Sequence, residues 1–427
     1  MSEAGVIPLK SGVQRPLVRQ DILGVLDVGS TKMCCLIGRN RPGSGVELLG
    51  ASYQLAEGLK AGEIVDVEAV EASVLAVVHE AEQQAGETLR DVIVGVTAGR
   101  PSSRRTVVEQ EIGARAVTGN DVLRALSEAE DRIREDGVEC LHALPVEVTL
   151  DGGQPLKDAR GMIGRKLSVE AHVVQTASVP LHNLVAAVER CHLEVQGVVA
   201  NAYAAGLAAL SEEEMALGAL VLDLGGGVTG AARFAGGKLQ EVLSVPLGAH
   251  HVTQDLAFGL SIGRDQAERL KTLYGSALEH AGDSHERIEV PGIGDPTAPP
   301  SQIVTRARLT EIIRPRVEEI FHILRDRLGD RMPPLAGRRL VLTGGGSQLE
   351  GTIELAEEVF DMPTRLGRAR PLAGGAAFDD LTAATTAAGL LAWAGRDDGG
   401  LTYRSPRPTP AFTARLAKLG QWLKENF

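Results

Sequence analysis

Apolar runs broken by short polar turns recur along this chain, and two of them end alike. From Ile22 it reads ILGVLDVGS and then KMCCLIGR, two apolar runs separated by Asp27 and a turn at Ser30-Thr31. Runs this dense, bounded by turn residues, predict buried strands. VELLGASYQLA predicts a third strand. Val67, Val70, Val74, Val77 and Val78 then recur at helical intervals up to Gly86, a helix stop, and DVIVGVTAG is another short buried strand. Residues 98–170 change character. SSRRTVVEQEIG alternates like a half-exposed strand, TGNDVLRALSEAEDRIRE is a capped amphipathic helix, and further strands follow around a Gly-rich turn. This predicts a small α/β module set into a larger domain. Strand–helix alternation resumes at PLHNLVAAVERCHLEVQGVVA and NAYAAGLAAL, and then the opening pattern returns. GALVLDLGGGVTGAARF places Asp223 before a glycine turn, and RRLVLTGGGSQLEGTIELAEEVF is a strand, a glycine triplet and a helix. Two similar βββαβα halves indicate a duplicated fold. Residues 1–20 read as a flexible tail, 283–301 as a surface loop and 396–410 as a disordered linker before a last segment.

Composition narrows the class. A length of 427 residues calls for two or more domains, and with 44% hydrophobic but 3% aromatic residues their cores must be built from Ala, Val, Leu and Ile. Lys and Arg number 44 against 56 Asp and Glu, a net charge of −12. That argues against a general nucleic-acid binder, which needs clustered cations against phosphate. Cys34, Cys35, Cys140 and Cys191 form no CxxC pair and read as small buried hydrophobes in a reducing compartment. The first residues lack a leader-like apolar core, and no run is long enough to cross a bilayer. A soluble cytoplasmic protein is expected, unless something peripheral holds it to a membrane.

A carboxylate between two buried strands needs a reason. A tight turn whose backbone N–H groups point outward is an anion site. Gly29 lets backbone approach a phosphate, Ser30 and Thr31 add hydroxyls, and Lys32 adds charge. Asp27 would repel a bare phosphate but suits a Mg²⁺ whose water shell it holds. Asp223 with Gly225, Gly226 and Gly227 repeats the device, and Gly344-Gly345-Gly346 would let backbone pass beneath a nucleoside. Alone, a glycine triplet can be a plain turn and a strand-end Asp a cap. Three such turns in this order, each after an apolar strand, point to a nucleotide held between two halves.

The order of elements resembles that of the actin-like ATPases. LDVGSTKMCCLIG, LDLGGGVTGAARF and LTGGGSQLEG are similar to their first phosphate, second phosphate and adenosine motifs, and TAAGLLAWA to their second connecting helix. The module containing LHALPVEVTLDGGQPLKDARGMIG, together with LGAHHVTQDLAFGLSIGRDQAERLK, narrows the resemblance to the FtsA family of bacterial division proteins. It implies an α/β fold, the duplicated actin-like RNase H type in two lobes, with an inserted subdomain and a C-terminal amphipathic helix. The first lobe would be 21–97 and 171–218, the insert 98–170, and the second lobe 219–248 and 335–395. A nucleotide- and FtsZ-binding subdomain would take 249–334, and a membrane helix 411–427.

The same resemblance implies ATP and Mg²⁺ as cofactors and assembly into filaments on the cytoplasmic face of the inner membrane, at the septum. Its partners would be the FtsZ C-terminal tail, other divisome proteins and anionic lipids. Asp27, Gly29, Ser30, Thr31 and Lys32 would face the phosphates from one side and Asp223, Gly225, Gly226, Gly227 and Thr229 from the other, the two carboxylates holding Mg²⁺ through water. Gly345, Gly346 and Ser347 would lie near ribose and base. Glu268 and Lys271 match the pair flanking adenosine, or form an ordinary surface ion pair. Two departures stand out. Gly230 follows Thr229 where the motif usually continues Thr-x-Asp, and the first connecting region offers Asn201 where hydrolases place an acid or Gln. An amide positions water but takes no proton, so slow hydrolysis at best is expected.

In the last segment Phe412, Leu416, Leu419, Leu423 and Phe427 recur at three- and four-residue steps, with Trp422 beside the stripe and Arg415, Lys418 and Lys424 off it. This suits an interfacial helix on anionic lipid, or one docked on the protein's own core; the Pro-rich tether favours lipid. Arg306 and Arg308, at a helix start, are the candidate contacts to the FtsZ tail, guanidinium being suited to carboxylates; they equally fit solvated surface charge. Two rivals share the superfamily. A small-molecule kinase would need a cleft base that is not evident, and a PilM-type pilus-assembly adaptor would not need the terminal helix. A chaperone would need a substrate-binding domain.

Overall fold

The computed structural model describes residues 13–14, 21–41, 45–290, 302–329, 339–370, 373, 384–395 and 400–403. Two five-stranded sheets share one strand order. In the first, β2 (Ile22–Val28) is central. Strands β3 (Lys32–Arg41) and β4 (Gly45–Leu55) add antiparallel on one side, and β7 (Asp91–Val96) and β11 (Glu194–Ala200) parallel on the other. In the second, β12 (Ala219–Leu224) is central, with β13 (Thr229–Ala235) and β14 (Lys238–Val245) antiparallel and β17 (Arg339–Thr343) and β18 (Thr364–Leu366) parallel. Asp27 and Asp223 therefore occupy equivalent places, each near the C-terminal end of a central strand.

The helices follow their local signals. α1 (Val67–Ala85) starts where the Asp66 carboxylate accepts from Ala69 N at 3.2 Å and stops at left-handed Gly86, φ 65°. It buries Val70, Val74, Val77, Val78 and Ala81, and a small ribbon, β5 (Leu59–Lys60) and β6 (Glu63–Ile64), precedes it. Helices α3 (Ser178–Arg190), α4 (Asn201–Ala209) and α5 (Glu212–Leu217) lead into the second lobe, and α10 (Thr385–Ala394) crosses back against α4. Every residue of α4 is buried, the mark of a helix apolar all round. The crossing is so close that a Cβ at Gly389 would stand 1.8 Å from the Ala204 carbonyl oxygen.

A second core joins α6 (Ala249–Leu260), α7 (Arg264–Tyr274), α8 (Arg306–Leu328) and α9 (Thr352–Phe360) to the second sheet. Within the stretch 283–301, expected to be loop, Arg287–Val290 forms β15 and pairs with β16 (Gln302–Thr305). Ile288 and Val290 alternate inward, so burial of every second residue makes the strand.

The inserted module is a third core, built from β8 (Ser102–Ala116), α2 (Gly119–Ile133), β9 (Val138–Leu150) and β10 (Ile163–Ala177). Its last strand runs past residue 170. Buried Asp121 opens α2, accepting from Thr118 N at 2.8 Å and Thr118 Oγ1 at 2.7 Å, and Arg115 pairs with it, which holds its carboxyl far below the usual range. Two expectations need correction. Val13–Gln14 and Leu401–Tyr403, placed in a flexible tail and a disordered linker, form β1 and β19 and extend the insert's sheet in the order β1-β19-β9-β10-β8. Burial of Leu401 in the insert's core explains the docking, and Gly400 permits it, since a Cβ there would meet Leu144 Cδ2 at 2.5 Å. The segment 411–427, with Phe412, Arg415, Leu416, Lys418, Leu419, Trp422, Leu423 and Phe427, lies outside the described residues. Among the described residues, no helix is long and apolar enough to cross a membrane.

Candidate functional site

The two hairpin turns have the same backbone closure. Gly29 N donates to Lys32 O at 3.2 Å, and Gly225 N donates to Val228 O at 3.1 Å. In both, a Cβ on that glycine would sit 2.7 Å from the same carbonyl, so only glycine fits. The turns face each other across the lobes and line one cavity of about 520 Å³, a size suited to a small-molecule ligand. Asp27, Gly29, Ser30, Thr31, Lys32, Asn201, Asp223, Gly225, Gly226, Gly227, Thr229, Glu268, Lys271, Gly345 and Gly346 all border it. Nothing within 4 Å would meet a Cβ at Gly345, which leaves open space above the third turn.

The carboxylates are differently held. Asn201 Nδ2 donates to Asp27 Oδ1 at 2.8 Å, and Thr386 Oγ1 donates to Asp223 Oδ2 at 3.2 Å. Each partner stands in the first turn of a connecting helix, α4 or α10. Loss of bulk water, then the charge of Asp223, pushes the Asp27 carboxyl up to about 7, against the pull of Asn201 and Lys32. Burial pushes Asp223 up to about 6. Asn201 Oδ1 and Thr343 Oγ1 are buried without hydrogen-bond partners, the latter opposite Asp223 in the β12–β17 register. Two repelling carboxylates bordering one cavity fit a hydrated divalent cation carried by phosphate. Among the described residues no cluster of three or more His, Cys, Asp or Glu could cage a metal directly.

Several expected residues behave differently in detail. Thr229 borders the cavity, but its buried hydroxyl donates to Leu247 O at 2.7 Å, fastening a turn. Ser347 is buried and donates to Gly344 O at 2.6 Å; it closes the glycine turn, while Gln348 and Leu349 border the cavity. The Lys32 ammonium lies 3.9 Å from the centroid of the Tyr53 ring, a cation–π contact that holds its charge beside the turn. Glu268 and Lys271 are an ion pair at 2.8 Å and also cavity wall. Thr253 Oγ1 accepts from Lys271 Nζ at 2.9 Å and donates to Glu268 Oε2 at 2.5 Å. Arg306 is committed within the chain, to Glu350 at 2.5 Å and Asp283 and Glu286 at 3.8 Å, while Arg308 pairs with Glu311 and is more exposed.

Sequence reasoning missed His250 and Thr386, both of which border the cavity. His250 Nε2 lies 3.2 Å from Thr31 Oγ1, a contact from α6 to the opposite hairpin. Its own N–H donates to Gly226 O at 2.8 Å, and Ala249 N to Gly225 O at 3.0 Å, so the start of α6 is pinned on the glycine turn. The HH following LGA was the available signal.

Comparison with known proteins agrees with this geometry. The family model described as Cell division protein FtsA matches residues 220–389, and that described as SHS2 domain inserted in FTSA matches residues 98–175. The chain is 39% identical to Cell division protein FtsA of Rhizobium meliloti (strain 1021), over 96% of each chain. With the protein of that name from Pseudomonas aeruginosa it shares 31%, over 94% of this chain and 97% of the relative. Among solved structures, a PilM-PilN type IV pilus biogenesis complex aligns with TM-score 0.62 at 18% identity, covering 89% of this chain and 100% of that one. MreB5 of Spiroplasma citri bound to ADP aligns with TM-score 0.53 at 14% identity, covering 87% and 95%. The fold is the duplicated actin-like α/β architecture, with an inserted SHS2 module.

Proposed function

The chain belongs to the FtsA family of cell division proteins, and from that premise we propose that it binds ATP with Mg²⁺ between its lobes. One observation carries this reading: two hairpins with matched backbone closure, each beside a buried carboxylate, face each other across one cavity. Turn N–H groups and the Ser30 and Thr31 hydroxyls would bind phosphate from both sides, and Lys271 and Glu268 would flank the nucleoside beside the open space at Gly345. Mg²⁺ would neutralise the phosphates and the facing carboxylates Asp27 and Asp223. Asn201 is tied to Asp27 through its amide N–H, and an amide takes no proton from water. Hydrolysis is therefore slow, and ATP acts mainly as a conformational and assembly ligand.

The further role we infer is polymerisation on the cytoplasmic face of the bacterial inner membrane at the septum, anchoring FtsZ by its C-terminal tail and helping recruit the divisome. The amphipathic pattern of 411–427 supports attachment to anionic lipid, and filament avidity would strengthen a weak single helix. Arg308 is the better placed of the two candidate arginines for an acidic tail. The adaptor reading loses ground, since identity to the FtsA protein of Rhizobium meliloti is 39% and to the PilM structure 18%.

Calorimetric titration with ATP, with and without Mg²⁺, tests the cleft; absence of Mg²⁺-dependent binding would sink this reading. Co-sedimentation of the full chain with anionic liposomes, against a chain ending at Pro410, tests the anchor. The tail is the anchor if only the full chain pellets.

A further inference from the structure

Strand β19 meets the rest of the protein at a buried histidine. Thr402 lies opposite His142 of β9 in the sheet register, and its Oγ1 is 3.3 Å from His142 Nδ1. The other ring nitrogen, Nε2, lies 3.3 Å from the backbone N of Ala200. A backbone N–H can only donate, so Nε2 must accept and the ring proton must sit on Nδ1, which then donates to Thr402. Burial pushes the imidazole pKa down to about 3, so the ring stays neutral and the tautomer is fixed. A neutral imidazole with one donor and one acceptor is fully used by these two partners.

Those partners have different destinations. Ala200 is the residue before α4, and the next residue, Asn201, donates to Asp27 in the cleft. The ring also packs against Tyr203 of α4 and Trp393 of α10, with centroids 5.5 and 6.2 Å away. Both connecting helices, whose first turns hold the two carboxylates, thus touch one side chain that β19 orients. β19 itself is short and is flanked by the two-residue β1. A three-residue strand has few ladder hydrogen bonds to break, so its local opening is the two-state element this coupling needs.

We propose that His142 is a positioning residue that couples the docking of β19 to the nucleotide cleft: the docked strand holds the start of α4, and with it Asn201, in the geometry that binds nucleotide. The inference rests on the ATP reading of the cleft given above. Because coupling is reciprocal, nucleotide must tighten β19 by the factor that β19 tightens nucleotide.

The test uses the full chain, with ADP and Mg²⁺ as the probe. Calorimetry compares the unaltered protein with Thr402→Val, which keeps the shape and removes the acceptor, and Thr402→Ser, which keeps the acceptor. The expected result is binding weakened about fivefold by Thr402→Val and restored to within about twofold by Thr402→Ser. Hydrogen exchange on the unaltered protein is the second arm: saturating ADP should slow exchange across residues 400–403 by about fivefold. That arm stands even if Thr402→Val fails to fold. Equal affinity of Thr402→Val and the unaltered chain overturns the coupling, as does an equal loss in Thr402→Ser, or exchange at β19 indifferent to nucleotide. If the unaltered chain binds no nucleotide, the cleft reading fails first and this inference falls with it.

Discussion

The two cavity-lining hairpins share a backbone and differ in what hangs from it. The first carries Ser30, Thr31 and Lys32; the second carries Gly226, Gly227 and Val228 in the corresponding places. Contact explains the difference. A Cβ at Gly226 would stand 1.7 Å from Thr31 Oγ1, and one at Gly227 would stand 2.7 Å from Ser30 Oγ. The glycine turn is bare because the side chains of its counterpart fill the space above it. One hairpin supplies chemistry, and the other supplies a socket and backbone N–H groups. A duplicated sheet has thus become asymmetric where its two hairpins touch.

The largest expected effect comes from the carboxylates the hairpins share. Asp27→Asn or Asp223→Asn should weaken Mg²⁺-dependent ATP binding about a hundredfold or more, measured by titration at fixed free Mg²⁺. Equal loss from both would mean that the two lobes hold the cation alike, whereas a small effect from one would make the site one-sided.

Next, Gly226→Ala should weaken nucleotide binding about tenfold by forcing Thr31 away. Thr31→Gly in the same chain should restore part of that loss, because it removes the atom the new methyl meets. Strict additivity in that double-mutant cycle would refute the socket.

A smaller effect lies in the pH dependence of the ligand-free protein. The carboxyls of Asp27 and Asp223 rise from 3.8 to about 7 and about 6 on folding. The folded state therefore holds more protons than the unfolded state between those limits. Their contribution to stability is fully present below pH 4 and is lost as pH rises towards 7. Asp223→Asn should flatten that slope in urea titrations across pH 4–7 and raise the neutral-pH melting temperature by about 2–4 °C. An unchanged slope would place the pair's titration elsewhere.

The smallest is His250→Ala, which removes the cross-lobe contact to Thr31 and should cost about two- to fivefold in nucleotide affinity.

What the sequence disclosed follows from the range of the forces involved. The hairpins and glycine turns were legible because apolar runs and φ constraints are local, and the duplication because one local pattern appears twice. Asn201 was legible only through family resemblance; nothing in VVANAYAAG says that its amide reaches Asp27. Thr386 was not legible, since it arrives from an element that must first dock, and the HH pair signalled His250 without its destination. β1 and β19 were missed because strands of two and three residues have no period to detect, and their pairing is set by the insert's edge. Arg306, a candidate contact for the FtsZ tail, is instead surrounded by three carboxylates that the sequence does not place beside it.

The chain contains two tryptophans, and their positions give it built-in optics. Trp393 is buried where α10 meets His142, and Trp422 belongs to the terminal amphipathic segment. Replacing Trp422 with Phe would leave one indole, whose emission wavelength and anisotropy report the junction between the connecting helices and the insert. Replacing Trp393 with Phe instead leaves the indole of Trp422, which would shift to the blue on vesicles only if the tail enters them. Two such chains, read in one cuvette format without labels, would separate events at the connecting helices from any at a vesicle surface.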